Sequence, residues 1–368
     1  MMPSPAIRTF YNWSMKIFLR IVFLCFFFCF ADNAFSQFRR SKGPKESVNF
    51  TIHEIVPGVW AAIHNDQYGK AICNAGIIDL GDKTVVYDPF MTPGAARELK
   101  VVAEQLTGRT VSLVINSHFH NDHIRGNQVF SPDATIISTH FTRNEIARVE
   151  PEEQKWEEKH APTLLKAVKK RMSVAGAQER EELPLWIGYY EGMVQSSHEL
   201  RITLPDLVFN DSLWILGSKR SIKLVECKNG HTASDAILLI PDEGIAFMGD
   251  LLFTERHPWI TDGKIESWQE TLRKYYEDKS LVTYIPGHGP ISKKSALQEL
   301  FRYFGDIRDI CNKVDNDSLK VIVMQQPILQ PYRHWFFGKF YQPNLEYLIN
   351  IRFKERDHVV SDKPQGEK

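Results

Sequence analysis

Cysteine is scarce in this chain. Five occur in 368 residues, and two of them, Cys25 and Cys29, fall in an apolar N-terminal run. The other three, Cys73, Cys227 and Cys311, are odd in number and far apart, which excludes a disulfide framework and points to buried free thiols. Neither sign of charge is in excess: 45 basic residues face 45 acidic ones. That balance excludes a nucleic-acid partner recognised by bulk charge. No internal repeat and no low-complexity linker divides the chain. No Ser-His-Asp order or nucleophile elbow is present, so serine-hydrolase chemistry has no machinery here.

The N-terminus carries a three-part export pattern. Lys16 and Arg20 precede an apolar run over residues 21–31, and Ala34-Phe35-Ser36 supplies small residues at the positions before a cleavage site. The run is short for a spanning helix, which needs about 20 apolar residues. The expectation is a signal peptide over residues 1–36, cleaved after Ser36, and a periplasmic or secreted protein with no stable membrane partner afterwards; an uncleaved anchor is the alternative. Cleavage removes three basic residues and one acidic one, leaving 42 against 44, or −2.

What remains, with 43% apolar and 24% charged residues, reads as a globular α/β chain. Residues 52–63 and 71–80 read as strands, and 84–88 as a buried strand ending in the Asp88 carboxylate. Thr92 and Pro93 open a helix that Gly108 closes, and 111–115 is a second apolar strand, completing a βαβ unit. Residues 140–204 read as a helical, aromatic insertion: a lid, a dimer contact or ordinary core. Strand-like runs resume at 213–217, 221–226, 236–240, 245–248 and 282–285. A capping box at Ser267 and an amphipathic stretch over 292–314 predict two helices, and Asn344 is a candidate cap for a third. The domain limits that follow are 47–315, with 316–368 as a C-terminal extension whose tail is loose and polar after about Glu355.

The dense feature is His118-Phe119-His120-Asn121-Asp122-His123, with four nitrogen and oxygen ligand types in six residues. Such ligands suit zinc. Neighbours such as Asp122 and His123 must point apart, so two ligand sets fit better than one. Three more candidates, His231, Asp250 and His288, each follow a strand-like run and each stand beside a glycine. Cys227 lies close to His231 in sequence, near the site but not a ligand.

These motifs together resemble the metallo-β-lactamase superfamily: the HxHxDH run, then Gly230-His231-Thr232, Gly249-Asp250 and Gly287-His288-Gly289 in order, with Asp88 ending an early strand. The resemblance runs from about Phe50 to the helix after His288. It implies an αββα four-layer sandwich and two zinc ions, with iron or manganese as alternatives. His118, His120 and His231 would bind the first, Asp122, His123 and His288 the second, and Asp250 both, with Asp88 orienting a ligand or the bridging water. Asp122 and Asp250 are thereby the candidate catalytic carboxylates. A metal-bridging hydroxide would attack an ester, lactone, thioester or amide carbonyl of a small-molecule substrate.

His120 and the absence of a ligand cysteine make the chain similar to the glyoxalase II-like and lactonase-like branch, with the histidine-only lactamase branch also open. A β-lactamase proper and an iron-dependent sulfur dioxygenase are the alternatives. Arg256, His257 and Trp259, shortly after Asp250, and His334 and Trp335 from the C-terminal part, are candidate pocket residues. The sequence leaves substrate and oligomeric state open.

Overall fold

The computed structural model describes residues 47–361, with side chains as far as Lys354. The expected signal segment and its cleavage site after Ser36 lie outside the described residues. Among the described residues no helix is long and apolar enough to cross a membrane.

Two sheets form the centre. The first contains β1 (Phe50–Val56), β2 (Val59–His64), β3 (Ala75–Asp79), β4 (Thr84–Tyr87), β5 (Val111–Ile115), β6 (Thr135–Thr139) and β7 (Leu207–Phe209), in that spatial order. Its first four strands are antiparallel neighbours and its last four are parallel. The second runs β12-β11-β10-β9-β8, from β8 (Ser212–Ile215), β9 (Ile222–Lys228), β10 (Ser234–Ile240), β11 (Ile245–Phe253) and β12 (Thr283–His288). The stretch read as one strand over 52–63 is a hairpin, because Gly58, at φ 89°, turns the chain between β1 and β2. The strands β6 and β7 were not expected from the sequence.

Alternation of side chains divides the core into layers. Val85 and Tyr87 of β4 face Leu238 of β10 and Phe247 of β11 in the middle layer. Val86 points the other way, onto Leu99, Val102 and Ala103 of α1 (Pro93–Thr107). Ile237, Ala246 and Met248 likewise point outward, onto Trp268 of α6 (Ile265–Glu277) and Leu297 and Leu300 of α7 (Lys294–Asn312). The result is helix, sheet, sheet, helix, as expected. Thr92 caps α1 by accepting the Ala95 amide at 3.2 Å, also as expected.

Two short helices, α2 (Asn121–Ile124) and α3 (Asn127–Phe130), follow β5. The stretch 140–196 forms two long ones, α4 (His140–Arg171) and α5 (Ala177–Ser196). The C-terminal part forms α8 (Asp317–Met324) and α9 (Tyr341–Ser361), and its Tyr332, Trp335, Phe337, Tyr341, Leu345 and Ile349 share one core with the second sheet's helices.

Three helix-end expectations are corrected. Helix α6 starts at Ile265 with Lys264 as N-cap, so Ser267 lies inside it. Asn344 does not cap the last helix: it is buried within α9 and donates to the Pro258 carbonyl at 2.7 Å. That helix continues to Ser361, past the point where a loose tail was expected.

Candidate metal centre

The sheet edges deliver the site. After β5 the chain passes through Ser117-His118-Phe119-His120 into α2, whose first turn carries Asp122 and His123. His231 stands just beyond β9, and His288 is the last residue of β12. Asp250 lies inside β11 rather than at its end, in a stretch where the pairing with β12 slips between Gly249 and Phe253. Such irregularities re-aim a side chain, and here they turn a carboxylate toward the histidines. Gly287 makes room for it: a Cβ there would stand 1.9 Å from Asp250 Oδ1.

All seven sequence-predicted ligands converge. His118, His120, His231 and Asp250 present ligand atoms within 4.8 Å of one another, and Asp122, His123 and His288 form a second such group. His120 Nδ1 lies 3.0 Å from Nε2 of both His118 and His231. Asp250 splits its carboxylate between the groups. Oδ2 faces His231 Nε2 at 3.3 Å and His118 Nε2 at 3.9 Å, while Oδ1 faces His123 Nε2 at 3.2 Å and His288 Nε2 at 3.3 Å. Asp122 Oδ2 lies 3.4 Å from both His123 Nε2 and His288 Nε2.

A layer of hydrogen bonds fixes four of the five rings, those of His118, His120, His123 and His288, as ligand histidines require. Asp88 is fully buried at φ 53°, a strained conformation for a side-chain-bearing residue, held because its carboxylate accepts from the Ser117 amide and meets His123 Nδ1, both at 2.8 Å. Ser117 Oγ lies 2.8 Å from His118 Nδ1, and His288 Nδ1 lies 3.0 Å from the Ile72 carbonyl. Asp262 Oδ2 holds His120 Nε2 at 3.1 Å and accepts from Trp259 Nε1 at 2.9 Å. Asp262 was missed by sequence reading, since no motif surrounds it. Ser117, adjacent to His118, was the readable signal that went unused.

Burial sets the protonation states. It holds His118 well below the ordinary histidine range and His231 at about 3, so both are neutral and ready to donate a lone pair. Burial works against the Asp250 charge, yet His288 and His123 overcome it and keep the carboxyl well below its usual range. The donor set also has vacancies that fit a cation: His123 Nε2 and Asp250 Oδ1 are buried without hydrogen-bond partners.

A cavity of about 740 Å³ opens on the ligands. One wall is α4 and α5, through Glu153, Trp156, Trp186 and Tyr189; the segment Phe337–Phe340 closes another. Of the five candidate pocket residues only Trp259 lines it. Arg256 is turned away because the chain bends at Glu255 (φ 54°), and it pairs with Asp66 at 2.7 Å. His257 is buried against Tyr303, and Trp335 packs beside both. His334 is exposed. The C-terminal contribution comes instead from Phe337, Lys339 and Phe340. The cysteine at the site is likewise Cys73, whose thiol donates to the Asp122 carbonyl at 2.9 Å, whereas Cys227 lies under Tyr275. Burial pushes the Cys73 thiol up to about 12.

The α4 wall is tied to the ligand loop by ions. Arg125, two residues past His123, is buried and bonds Glu150 at 3.0 and 3.2 Å and Glu157 at 2.6 Å. Asn121 donates to Glu153 and Glu157, each at 2.9 Å.

Fold and site together define an αββα protein with a histidine and aspartate cluster, able to hold metal ions, at one edge of its packed sheets. The description of the metallo-beta-lactamase superfamily matches residues 68–288, more than half of the chain, and the chain belongs to that superfamily. A solved metallo-beta-lactamase from Pontibacter korlensis shares the fold with a TM-score of 0.51, at 15% identity over 70% of this chain and 99% of that one. No curated protein matches the chain.

Proposed function

We propose that the chain is an exported dinuclear zinc hydrolase acting on the carbonyl of an ester, lactone, thioester or amide. The observation that carries this is Asp250, one oxygen of which faces each group of ligands. His118, His120 and His231 would hold one ion, Asp122, His123 and His288 the other, and Asp250 both. When bound, the ions lower the pKa of water toward neutrality and polarise the substrate oxygen.

The chain's own residues do the rest. Asp88, Ser117 and Asp262 fix the faces that His123, His118 and His120 present. The aromatic walls exclude water and position the apolar part of a substrate over Asp122 and Asp250, so the reacting carbonyl is held rather than searched for. Asp122, reachable from the cavity, is placed to take or return a proton beside the leaving group.

The test is zinc-loaded protein against a panel of esters, lactones, thioesters, acyclic amides and a chromogenic cephalosporin, the last because the solved neighbour is titled a metallo-beta-lactamase. Zinc-dependent turnover of an ester, lactone, thioester or acyclic amide supports the reading. Turnover confined to the cephalosporin, or none at all, overturns it.

A further inference from the structure

A second cavity, about 880 Å³, lies between α4, α5 and the C-terminal segment. It shares three lining residues with the metal-site cavity: Trp186, Tyr190 and Lys339. Those three form the partition. The Lys339 ammonium lies 3.1 Å from the centre of the Trp186 ring and 5.5 Å from that of Tyr190. Lys339 is exposed as a residue, but this packing strips water from its ammonium and pulls its pKa down to about 7, against the pull of Glu182. Beyond the partition Val168, Leu183, Pro327, Ile328 and Trp335 supply most of the surface, which is mainly apolar, while Arg171, Glu179, Glu182 and Arg333 also line the cavity.

We infer that the second cavity takes the straight-chain acyl tail of a substrate whose carbonyl sits at the metal centre, so the preferred substrates are esters, thioesters or amides of medium to long fatty acids. The partition decides the shape of the occupant. A linear alkyl chain can pass between Trp186, Tyr190 and a displaced Lys339 side chain, whereas a bulky ring system stays in the first cavity. The partition decides the chemistry as well: a lysine that leaves a ring face needs no replacement cation, and methylene groups take over its contact with Trp186. The second cavity's walls come from α4, α5, Gly176 in the connection between them, and residues 327–339, so the tail site is a property of these added segments rather than of the two sheets. Hydrolysis is balanced without a redox partner: the bond from the acyl carbon to the oxygen, sulfur or nitrogen of the leaving group breaks, water gives its oxygen to the acyl carbon, and its protons go to the leaving group and the solvent.

The inference rests on the hydrolase reading for its kinetic test, and a binding measurement separates the two. The kinetic arm compares acetyl, butyryl, octanoyl and dodecanoyl p-nitrophenyl esters with zinc-loaded protein. Each methylene buried in the second cavity raises kcat/KM about fourfold. Ala167 and Gln178 line this cavity from α4 and α5 and are exposed, so a large side chain fits at either without disturbing the core. Ala167→Trp and Gln178→Trp are each expected to bring the dodecanoyl-to-butyryl ratio down at least tenfold. A flat series in the wild type, or a rise that neither variant changes, overturns the inference. The binding arm uses metal-stripped protein and decanoate, followed by tryptophan fluorescence. Binding at least tenfold weaker in Ala167→Trp supports the tail site even if no ester is turned over, and equal binding by wild type and both variants overturns it.

Discussion

Replacing Arg125 with methionine tests how α4 is held to the ligand loop. The guanidinium is 3% exposed as a side chain and its partners Glu150 and Glu157 are 2% and 8% exposed, so three charges are out of water together. Methionine preserves much of the volume and the aliphatic stem but removes the one cation that, among the described residues, bonds both carboxylates. Breaking a buried ion pair from one side costs about 3–5 kcal/mol, because the stranded carboxylates have no solvent to turn to. The assay is urea denaturation of metal-free protein at pH 8. The sign of its pH dependence follows from Glu157. Burial already pushes this carboxyl up, Arg125 is the largest force opposing that, and without Arg125 it rises further. A carboxyl whose folded pKa exceeds its unfolded value destabilises the native state more as pH rises through that interval. The variant's deficit is therefore smaller at pH 5 than at pH 8. Adding Glu150→Gln and Glu157→Gln to Arg125→Met is expected to recover most of the loss. A deficit under about 1 kcal/mol at pH 8, the range of an exposed ion pair, refutes the reasoning.

Gly287→Ala places a Cβ 1.9 Å from Asp250 Oδ1 and 2.8–2.9 Å from the Gly249 and Asp250 backbone, so the strands must shift, and the protein is expected to lose stability and to retain one metal ion instead of two; elemental analysis reading two would contradict this. Asp262→Asn weakens the hold on His120 Nε2, and zinc affinity measured by chelator competition should fall about 10–100-fold. Burial holds His257 at about 3, so it stays neutral in the native protein while the unfolded chain takes up a proton near pH 6.5. This depressed base costs stability as pH falls, about 2 kcal/mol between pH 7 and pH 5. His257→Leu should remove that component, seen as a shallower loss of denaturation free energy over the same interval.

The candidate ligand set was legible in the sequence because the pattern is local. His118, His120, Asp122 and His123 are packed into six residues, and His231, Asp250 and His288 each stand beside a glycine that lets the backbone approach. The βαβ unit was legible through Thr92, Gly108 and two apolar runs. The substrate side was not. Arg256 and His257 lie near Asp250 in sequence, but the bend at Glu255 sends them into an ion pair and the core, a backbone event no periodicity records. Asp262 acts through one contact to a residue 142 positions away. Lys339 and Phe340 reach the cavity only because the C-terminal segment packs against α5, and Ser267 looked like a cap because hydrogen-bonding residues in the first turn resemble one. Strand β7 is three residues long, too short for alternation to show.

The most direct measurement is the metal content of purified wild type and Asp250→Ala after zinc loading, with turnover of the ester, lactone and thioester panel on the same samples. Two zinc ions per wild-type chain with hydrolysis of one substrate class are expected, and a folded Asp250→Ala that keeps at most one ion and little activity. A wild type that takes up no zinc, one that holds a single iron and hydrolyses nothing, or an Asp250→Ala with two ions and full activity would contradict it.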